Sequence, residues 1–217
     1  MDAYFIYSPF QSLIAVESIL SRGADDYSIY LLQNGNKQNL PAQEVLKLFR
    51  ISHSIITVGS LLDVYKEAKK LKYSFNVCYV GDYFDYRLRI IASYALKHKG
   101  KLVYMDDGSS SITVLNHEHP LRTLPFKLRF RFYDPLIRLK RKHIQTAYFT
   151  IYNISVKKDI SLCDFSYVRS YLKEKQISVQ EKTIIIGTNP VLFNSYNDYY
   201  LFLAETIKKY VKDESEN

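Results

Sequence analysis

The chain is poor in cysteine and contains no long run of apolar residues. Its two cysteines, Cys78 and Cys163, lie far apart, with no C-x-x-C pair and no histidine cluster nearby. This spacing indicates no structural zinc site and is typical of reduced thiols in a cytosolic protein. No window approaches the roughly 18 consecutive apolar residues of a membrane-spanning helix. The first apolar run has no basic leader and is interrupted at Pro9, so we expect a strand there rather than a signal peptide.

Apolar and aromatic residues are abundant. Of the 217 residues, 47% are hydrophobic, and 20 are tyrosines and 12 phenylalanines. This composition is sufficient for a packed core and excludes a disordered tail. At roughly 100–200 residues per domain, the length fits one large domain, or one domain and part of a second.

Positive charge is concentrated in one segment, between Arg122 and His143. The segment contains eight basic side chains and one acid, so it accounts for seven of the eight net positive charges of the chain. Because a nucleic-acid-binding protein usually spreads such residues over a face of the fold, we expect no nucleic-acid partner. Two interpretations stay open: peripheral contact with an anionic membrane or acidic glycan, and a solvated face whose aromatic side fills the core.

Short apolar segments alternate with segments of helical periodicity. This rhythm predicts an α/β fold, with a Rossmann-like parallel sheet covered by helices on both faces. The predicted strands cover residues 4–7, 27–32, 53–58, 76–80, 101–105 and 147–152, and the predicted helices cover residues 9–22, 41–49, 60–71, 84–97 and 165–175.

A polar stretch at residues 174–182 predicts a domain boundary. We assign residues 1–178 to the first domain and residues 179–217 to the beginning of a second. A strand at residues 182–187 and a helix at residues 199–211 make up this second part.

Parallel sheets place ligands outside the carboxyl ends of their strands, which makes Asp106-Asp107-Gly108 the strongest local signal. An acid at this edge, with a like charge beside it, is suited to act as a general base. A helix N-cap and a turn residue explain the tripeptide about as well. We expect no metal, because adjacent acids at a strand end point to opposite sides.

Four motifs in register resemble the bacterial sialyltransferases and polysialyltransferases. The segment from Tyr7 to Glu17 is similar to their first strand and its Ser/Thr-Pro-x-Gln turn, and Gly81-Asp82-Tyr83-Phe84 to the loop after their fourth strand. Asp106-Asp107-Gly108 matches their acidic-acidic-Gly motif, and residues 182–190 resemble the start of their second domain. The resemblance implies the N-terminal, acceptor-side part of a glycosyltransferase-B architecture.

The resemblance also implies an activity: inverting, metal-independent transfer of sialic acid from CMP-sialic acid to a surface glycan such as lipooligosaccharide or capsule. No cofactor is expected. Asp106 is then the general base, with Asp107 as the alternative. The implied location is the cytoplasm, and peripheral contact with the inner face of the cytoplasmic membrane is compatible with it. The implied substrate-binding residues are Ser8, Gln11, Asp82, Gly108 and Ser109, and the implied donor-binding residues are Gly187, Thr188 and Asn189.

The family's His-Pro motif, which stabilises the departing phosphate, has no counterpart in the second domain. The pair His119-Pro120 lies only eleven residues after Gly108, in the first domain, and we interpret it as a loop dipeptide. Whether the chain is an active enzyme therefore stays open. The alternative is a non-catalytic Rossmann-like module that binds glycan, anionic membrane or a partner chain, including a second copy of itself. CMP binding distinguishes the two hypotheses.

Overall fold

A computed structural model describes residues 1–34, 39–83, 85–105, 145–151 and 159–175. Strands and helices alternate along these ranges. The strands are β1 (Asp2–Ile6), β2 (Tyr27–Asn34), β3 (Ser54–Val58), β4 (Phe75–Val80), β5 (Leu96–Met105), β6 (Gln145–Thr150) and β7 (Asp159–Leu162); the helices are α1 (Pro9–Arg22), α2 (Leu40–Leu48), α3 (Leu61–Lys70), α4 (Tyr86–Ala95) and α5 (Ser166–Glu174).

The described strands form one parallel sheet in the order β3-β2-β1-β4-β5-β6-β7. The chain builds outward from β1 to β3, then crosses back to place β4 on the other side of β1. This is the Rossmann order extended by a seventh strand, and its switch point lies between β1 and β4. The predicted fold class, a Rossmann-like parallel sheet with helices on both faces, is confirmed.

Two buried clusters divide the core between the two faces of the sheet. One contains Phe5, Val80 and Tyr104 from the strands, together with residues of α3 and α4. The other contains Tyr4, Tyr79 and residues of α1, α2 and α5. Neighbouring residues of β1 therefore face opposite clusters, which is why this strand is almost continuously apolar.

Helix α1 has the predicted bounds, and local chemistry explains both ends. Ser8 is the N-cap, and its hydroxyl accepts the N–H of Gln11 at 3.1 Å, while Pro9 occupies the first helical turn, where no N–H is required. Gly23 ends the helix in the left-handed region, at φ 55°. This conformation strains any residue with a Cβ and is the usual role of glycine at a helix C-terminus.

Two features of the sheet differ from the prediction. Helix α4 is shorter at both ends than the predicted 84–97, because Asp85 caps it and Leu96, which is 2% exposed, already pairs with Phe75 as part of β5. Strand β7 was missed altogether. Its side chains are largely exposed, so it has no apolar run that would reveal it.

The described residues all lie within the unit Met1–Ile177. The predicted boundary between residues 178 and 179, and the strand and helix expected beyond it, lie outside them and stay predictions. None of the helices in the described ranges is long and apolar enough to cross a membrane.

Candidate functional site

The carboxyl ends of β1, β4 and β5 meet at one edge of the sheet. β4 pairs in parallel with β1 on one side and with β5 on the other. The loops that follow these three strands therefore begin at a common edge. Of these connections, the structure describes the turn from β1 to α1 and, except for residue 84, the loop from β4 to α4.

A hydrogen bond links these two loops across the switch point. The phenol of Tyr7, just after β1, donates to Oδ2 of Asp82, just after β4, over 3.2 Å. Both side chains are half-buried, so the bond lies near the surface at this edge of the sheet and not in the core. We name the space beside this pair, between the carboxyl ends of β1 and β4, the switch-point crevice.

The backbone of Tyr7 is held from two directions. Its N–H donates to Oε1 of Gln11 at 2.9 Å, and its carbonyl accepts a hydrogen bond from Nδ2 of Asn39. Asn39 precedes α2, yet its side chain makes no capping bond to that helix. Its side-chain amide donates to the carbonyl of Tyr7 instead. Gln11 of α1 and Asn39, which precedes α2, together hold the backbone from which the Tyr7 phenol extends.

Gly81 is required by its close approach to Gln11. A Cβ at this position would lie 2.2 Å from Oε1 of Gln11, far inside van der Waals contact. Gln11 is fully buried, and its side chain passes over the end of β4 to reach the N–H of Tyr7. The motif Gly81-Asp82 thus combines a residue without a side chain and a carboxylate at the crevice.

An ion pair at the start of α4 was not predicted. Asp85 caps the helix by accepting the N–H of Arg87 at 2.8 Å, and its Oδ2 accepts Nη2 of the same arginine at 2.6 Å. The hydrogen bond that Arg87 donates to this carboxylate raises the pKa of Arg87. The sequence signal for this ion pair is Asp-x-Arg at the start of a helical segment.

Aromatic rings extend from the crevice along the ends of β5 and β6. The rings of Tyr83 and Tyr104 lie 4.8 Å apart, and those of Tyr104 and Tyr148 lie 5.8 Å apart. The guanidinium of Arg89, a residue only 2% exposed, lies 4.9 Å from the centre of the Tyr83 ring. Cation–π contact of this kind stabilises a buried arginine and holds the ring in place.

The predicted site residues have different outcomes. Ser8 caps α1, and Gln11, in the first turn of α1, accepts the N–H of Tyr7. Asp82 lies at the switch-point crevice. The other predicted site residues fall outside the described residues and stay predictions, as do the basic segment 122–143 and its membrane contact. These residues are Asp106, Asp107, Gly108, Ser109, Gly187, Thr188 and Asn189.

Within the described ranges, no three histidine, cysteine, aspartate or glutamate side chains come together in a way that could hold a metal ion. The two described cysteines, Cys78 and Cys163, are both buried and form no disulfide. The carboxylates described near the switch-point crevice are those of Asp82 and Asp85, and they accept hydrogen bonds from Tyr7 and Arg87.

No protein-family profile and no curated protein sequence matches the chain. Solved structures do match at low identity. BdcA in complex with NADPH is 9% identical, with 69% of each chain covered and a TM-score of 0.38. A putative short-chain alcohol dehydrogenase from Burkholderia multivorans is 12% identical, with 69% of this chain and 82% of that chain covered and a TM-score of 0.40. AtPrR2 with NADP+ and (+)pinoresinol is 14% identical, with 69% and 49% covered and a TM-score of 0.39.

These comparisons correct the resemblance stated above. The similar structures are dehydrogenase-like proteins, two of them with NADPH or NADP+ bound, and not sialyltransferases. The predicted sialyltransferase family and activity are therefore wrong, as is the expectation of a CMP-sugar donor, a glycan acceptor and no cofactor. The alternative of a non-catalytic glycan-, membrane- or partner-binding module gains no support from them. What the chain shares with these proteins is the Rossmann-like fold.

Proposed function

We propose that the switch-point crevice binds a small molecule containing a ribonucleoside, with Asp82 accepting hydrogen bonds from the ribose hydroxyls. The observation that carries this proposal is the 3.2 Å bond between Tyr7 and Asp82, which spans the switch point of a doubly wound sheet. Open α/β sheets bind their ligands at this point, outside the carboxyl ends of the strands.

Asp82 has the chemistry that a ribose diol requires. An ionised carboxylate accepts hydrogen bonds only, and each of its two oxygens can accept more than one donor, so the same group that accepts the Tyr7 phenol has the chemistry to accept ribose hydroxyls. Hydrogen bonds to a charged acceptor contribute about 1.5–3 kcal/mol each. The phenol of Tyr7 orients the carboxylate, and Gln11 and Asn39 orient Tyr7, so the group is positioned before a ligand arrives.

Aromatic surface for the base lies beside the carboxylate. Tyr83 follows Asp82 directly, is partly exposed, and packs against the ring of Tyr104. Stacking of a base on an aromatic side chain contributes about 1–3 kcal/mol in nucleic-acid complexes. A ribose on Asp82 therefore places its base within reach of this ring.

The described residues do not fit the pyrophosphate of a nicotinamide dinucleotide at the β1–α1 turn. Rossmann proteins that bind this group use a glycine-rich turn whose backbone N–H groups face the phosphates. Here the turn contains no glycine, Pro9 has no N–H, and the N–H groups of Tyr7 and Gln11 already donate to Oε1 of Gln11 and Oγ of Ser8. Strand β2 ends in Gln33-Asn34 rather than in the acid that binds an NAD ribose. We therefore assign no step to such a cofactor.

Isothermal titration calorimetry of the full chain tests the proposal. Adenosine, uridine, 2′,3′-dideoxyadenosine and NADPH are titrated separately. We expect a ribonucleoside to bind and its dideoxy analogue to bind at least about tenfold more weakly, because the analogue lacks the hydroxyls that Asp82 accepts. NADPH tests the fit argument, since we expect it to bind no more tightly than a simple ribonucleoside.

Two variants locate the binding. Asp82→Asn is expected to weaken ribonucleoside binding by about 10- to 100-fold, because the neutral amide replaces a charged acceptor. Asp26→Asn is the matched control, since Asp26 is an exposed acid that pairs with the N-terminal amine at the opposite end of β1. Absence of ribonucleoside binding, or equal loss in both variants, would overturn the proposal.

A further inference from the structure

A cavity of about 470 Å³ lies on the face of the sheet that packs against α1, away from the switch-point crevice. Its walls come from the C-terminal turns of α1 and from β4, β5, β6 and β7. Val77 and Lys101, which line it, are register partners in the amino-terminal part of the described β4–β5 pairing. Pockets of roughly 300–1,000 Å³ are typical of small-molecule sites.

Two cations lie at this cavity, and each is held by an acid outside its lining. Nη2 of Arg22 bonds to the carboxylate of Asp2, and Nζ of Lys101 bonds to the carboxylate of Asp159. Both cations are more than one-third exposed, at 37% and 36%. Nη1 of Arg22 also donates to the hydroxyl of Tyr79, which lines the cavity. Because an arginine carries five N–H donors and a lysine three, these bonds still leave donors on each cation for a ligand anion.

The register of the sheet sets the spacing of the two cations. Asp2 pairs with Val77, and Val77 pairs with Lys101, so Asp2 and Lys101 are two strands apart in one row. At about 4.8 Å per strand, their backbones are about 10 Å apart. Arg22 bonds to Asp2 of β1 and to Tyr79 of β4, whereas Lys101 belongs to β5, so the two cations reach the cavity from neighbouring strands.

The floor between and beyond the cations is apolar. Val103 and Ala147 are register partners on β5 and β6, and they are 6% and 4% exposed. Phe149 continues this floor, and Ser161, its register partner on β7, closes the far side. The cavity therefore combines two ion-paired cations at one end with an apolar surface next to them.

We propose that this cavity binds an amphipathic organic anion, with its acid group at Arg22 and Lys101 and its flat apolar body over Val103, Ala147 and Phe149. The site is independent of the nucleoside proposal, because it uses the opposite end of α1 and none of the crevice residues. The ligand class follows from the two kinds of surface: an inorganic anion would leave the apolar floor empty, and a neutral apolar molecule would desolvate the cations without compensation.

Fluorescence titration of the full chain with 8-anilinonaphthalene-1-sulfonate tests the site, with N-phenyl-1-naphthylamine as the probe of the same body without the sulfonate. We expect saturable binding of one sulfonate probe per chain. Lys101→Met is expected to weaken it by about tenfold, the effect of losing one charged contact. The neutral probe is expected to bind more weakly than the sulfonate and to lose no affinity in Lys101→Met, because it makes no charged contact and the cation that it would desolvate is gone. Lys97→Met is the matched control, because Lys97 is exposed on β5 and does not line the cavity.

A second variant tests the location without removing charge. Ser161→Phe fills the cavity from the exposed edge strand β7, where a larger side chain is compatible with folding, and it is expected to abolish binding of both probes. Thermal unfolding of each variant verifies the fold. Binding that survives Ser161→Phe would overturn the location, and sulfonate binding that Lys101→Met leaves unchanged would overturn the ligand class. Asp82→Asn is expected to leave probe binding unaffected.

Discussion

The carboxylate of Glu17, in the interior of α1, accepts the backbone N–H of Val168 in the first turn of α5 at 2.8 Å, across 151 residues of sequence. Its other oxygen accepts the N–H of Tyr167 at 3.3 Å. The N-cap residue of α5, Phe165, has no side chain that could do this. A buried acid on one helix therefore caps another, which satisfies N–H groups that a helix start leaves unpaired.

Replacing this acid should loosen α5. We expect Glu17→Ala to lower the free energy of unfolding by about 1–3 kcal/mol, because it leaves the buried N–H of Val168 and the half-buried N–H of Tyr167 without an acceptor. Hydrogen exchange in the amides of α5 should accelerate more than in α3, on the other face of the sheet. Glu44→Ala is the control, since Glu44 is an exposed helix residue paired with Lys47. Equal effects of the two substitutions would contradict the capping role.

Gly81→Ala should be destabilising, whereas Gly59→Ala should be tolerated. The new Cβ at position 81 would meet Oε1 of Gln11 at 2.2 Å, but at position 59 its nearest neighbour would lie at 3.7 Å. Crowding of this kind costs about 1–3 kcal/mol, measured by denaturant unfolding. Adding Gln11→Ala to Gly81→Ala should recover part of the loss, because it removes the clashing side chain. No recovery in the double variant would place the strain elsewhere.

The start of α3 should show an acid-dependent stability. Asp63 accepts hydrogen bonds from Ser60, which lower the pKa of this carboxylate. Its stabilising effect is therefore complete above the unfolded-state pKa near 3.8 and is lost as the pH falls through the lower folded-state value. Ser60→Ala should lower stability by about 1 kcal/mol at neutral pH and reduce this acid dependence. Ser54→Ala, at an exposed position of β3, should change neither quantity when melting temperatures are compared between pH 7 and pH 3.

Cys78 should be chemically silent in the native protein. Burial raises the pKa of this thiol well above its usual value. Its side chain lies in the buried cluster on the face of the sheet that packs against α3 and α4. Because only the thiolate reacts, we expect no labelling of Cys78 by Ellman's reagent at pH 8, followed by full labelling in denaturant. Mass spectrometry assigns the modified cysteine. Rapid native labelling of Cys78 would contradict its position in the core.

The alternation of strands and helices could be predicted from the sequence because each element carries its own local signal. Helix α1 shows this best, since Ser8, Pro9 and Gly23 mark both of its ends. Strand β7 could not be predicted in the same way. It is short and largely exposed, and it exists because β6 offers it a parallel edge, which no local pattern records.

The candidate site could be predicted only in part. Asp82 was named as a substrate-binding residue through the sialyltransferase resemblance, and in the structure it lies at the carboxyl end of β4, beside the switch point. The role of Gln11 depends on the approach of Gly81, seventy residues away in sequence, so its contact could not be read from either residue alone. The family resemblance predicted the activity less reliably than the local sequence signals predicted the strands and helices. Its short motifs recur wherever a strand meets a helix, and the sialyltransferase prediction built on them was wrong.

Mapping of the ligand by two-dimensional ¹H–¹⁵N NMR tests the central claim most directly. With adenosine added to the ¹⁵N-labelled chain, the account predicts that the largest amide shift changes cluster at Tyr7, Gln11, Gly81 and Asp82, and that Asp82→Asn removes them. Amides of the α1-side cavity, such as those of Lys101 and Ser161, should stay in place. Shift changes centred on that cavity, or an unchanged spectrum at millimolar adenosine, would contradict the assignment of the switch-point crevice as the nucleoside site.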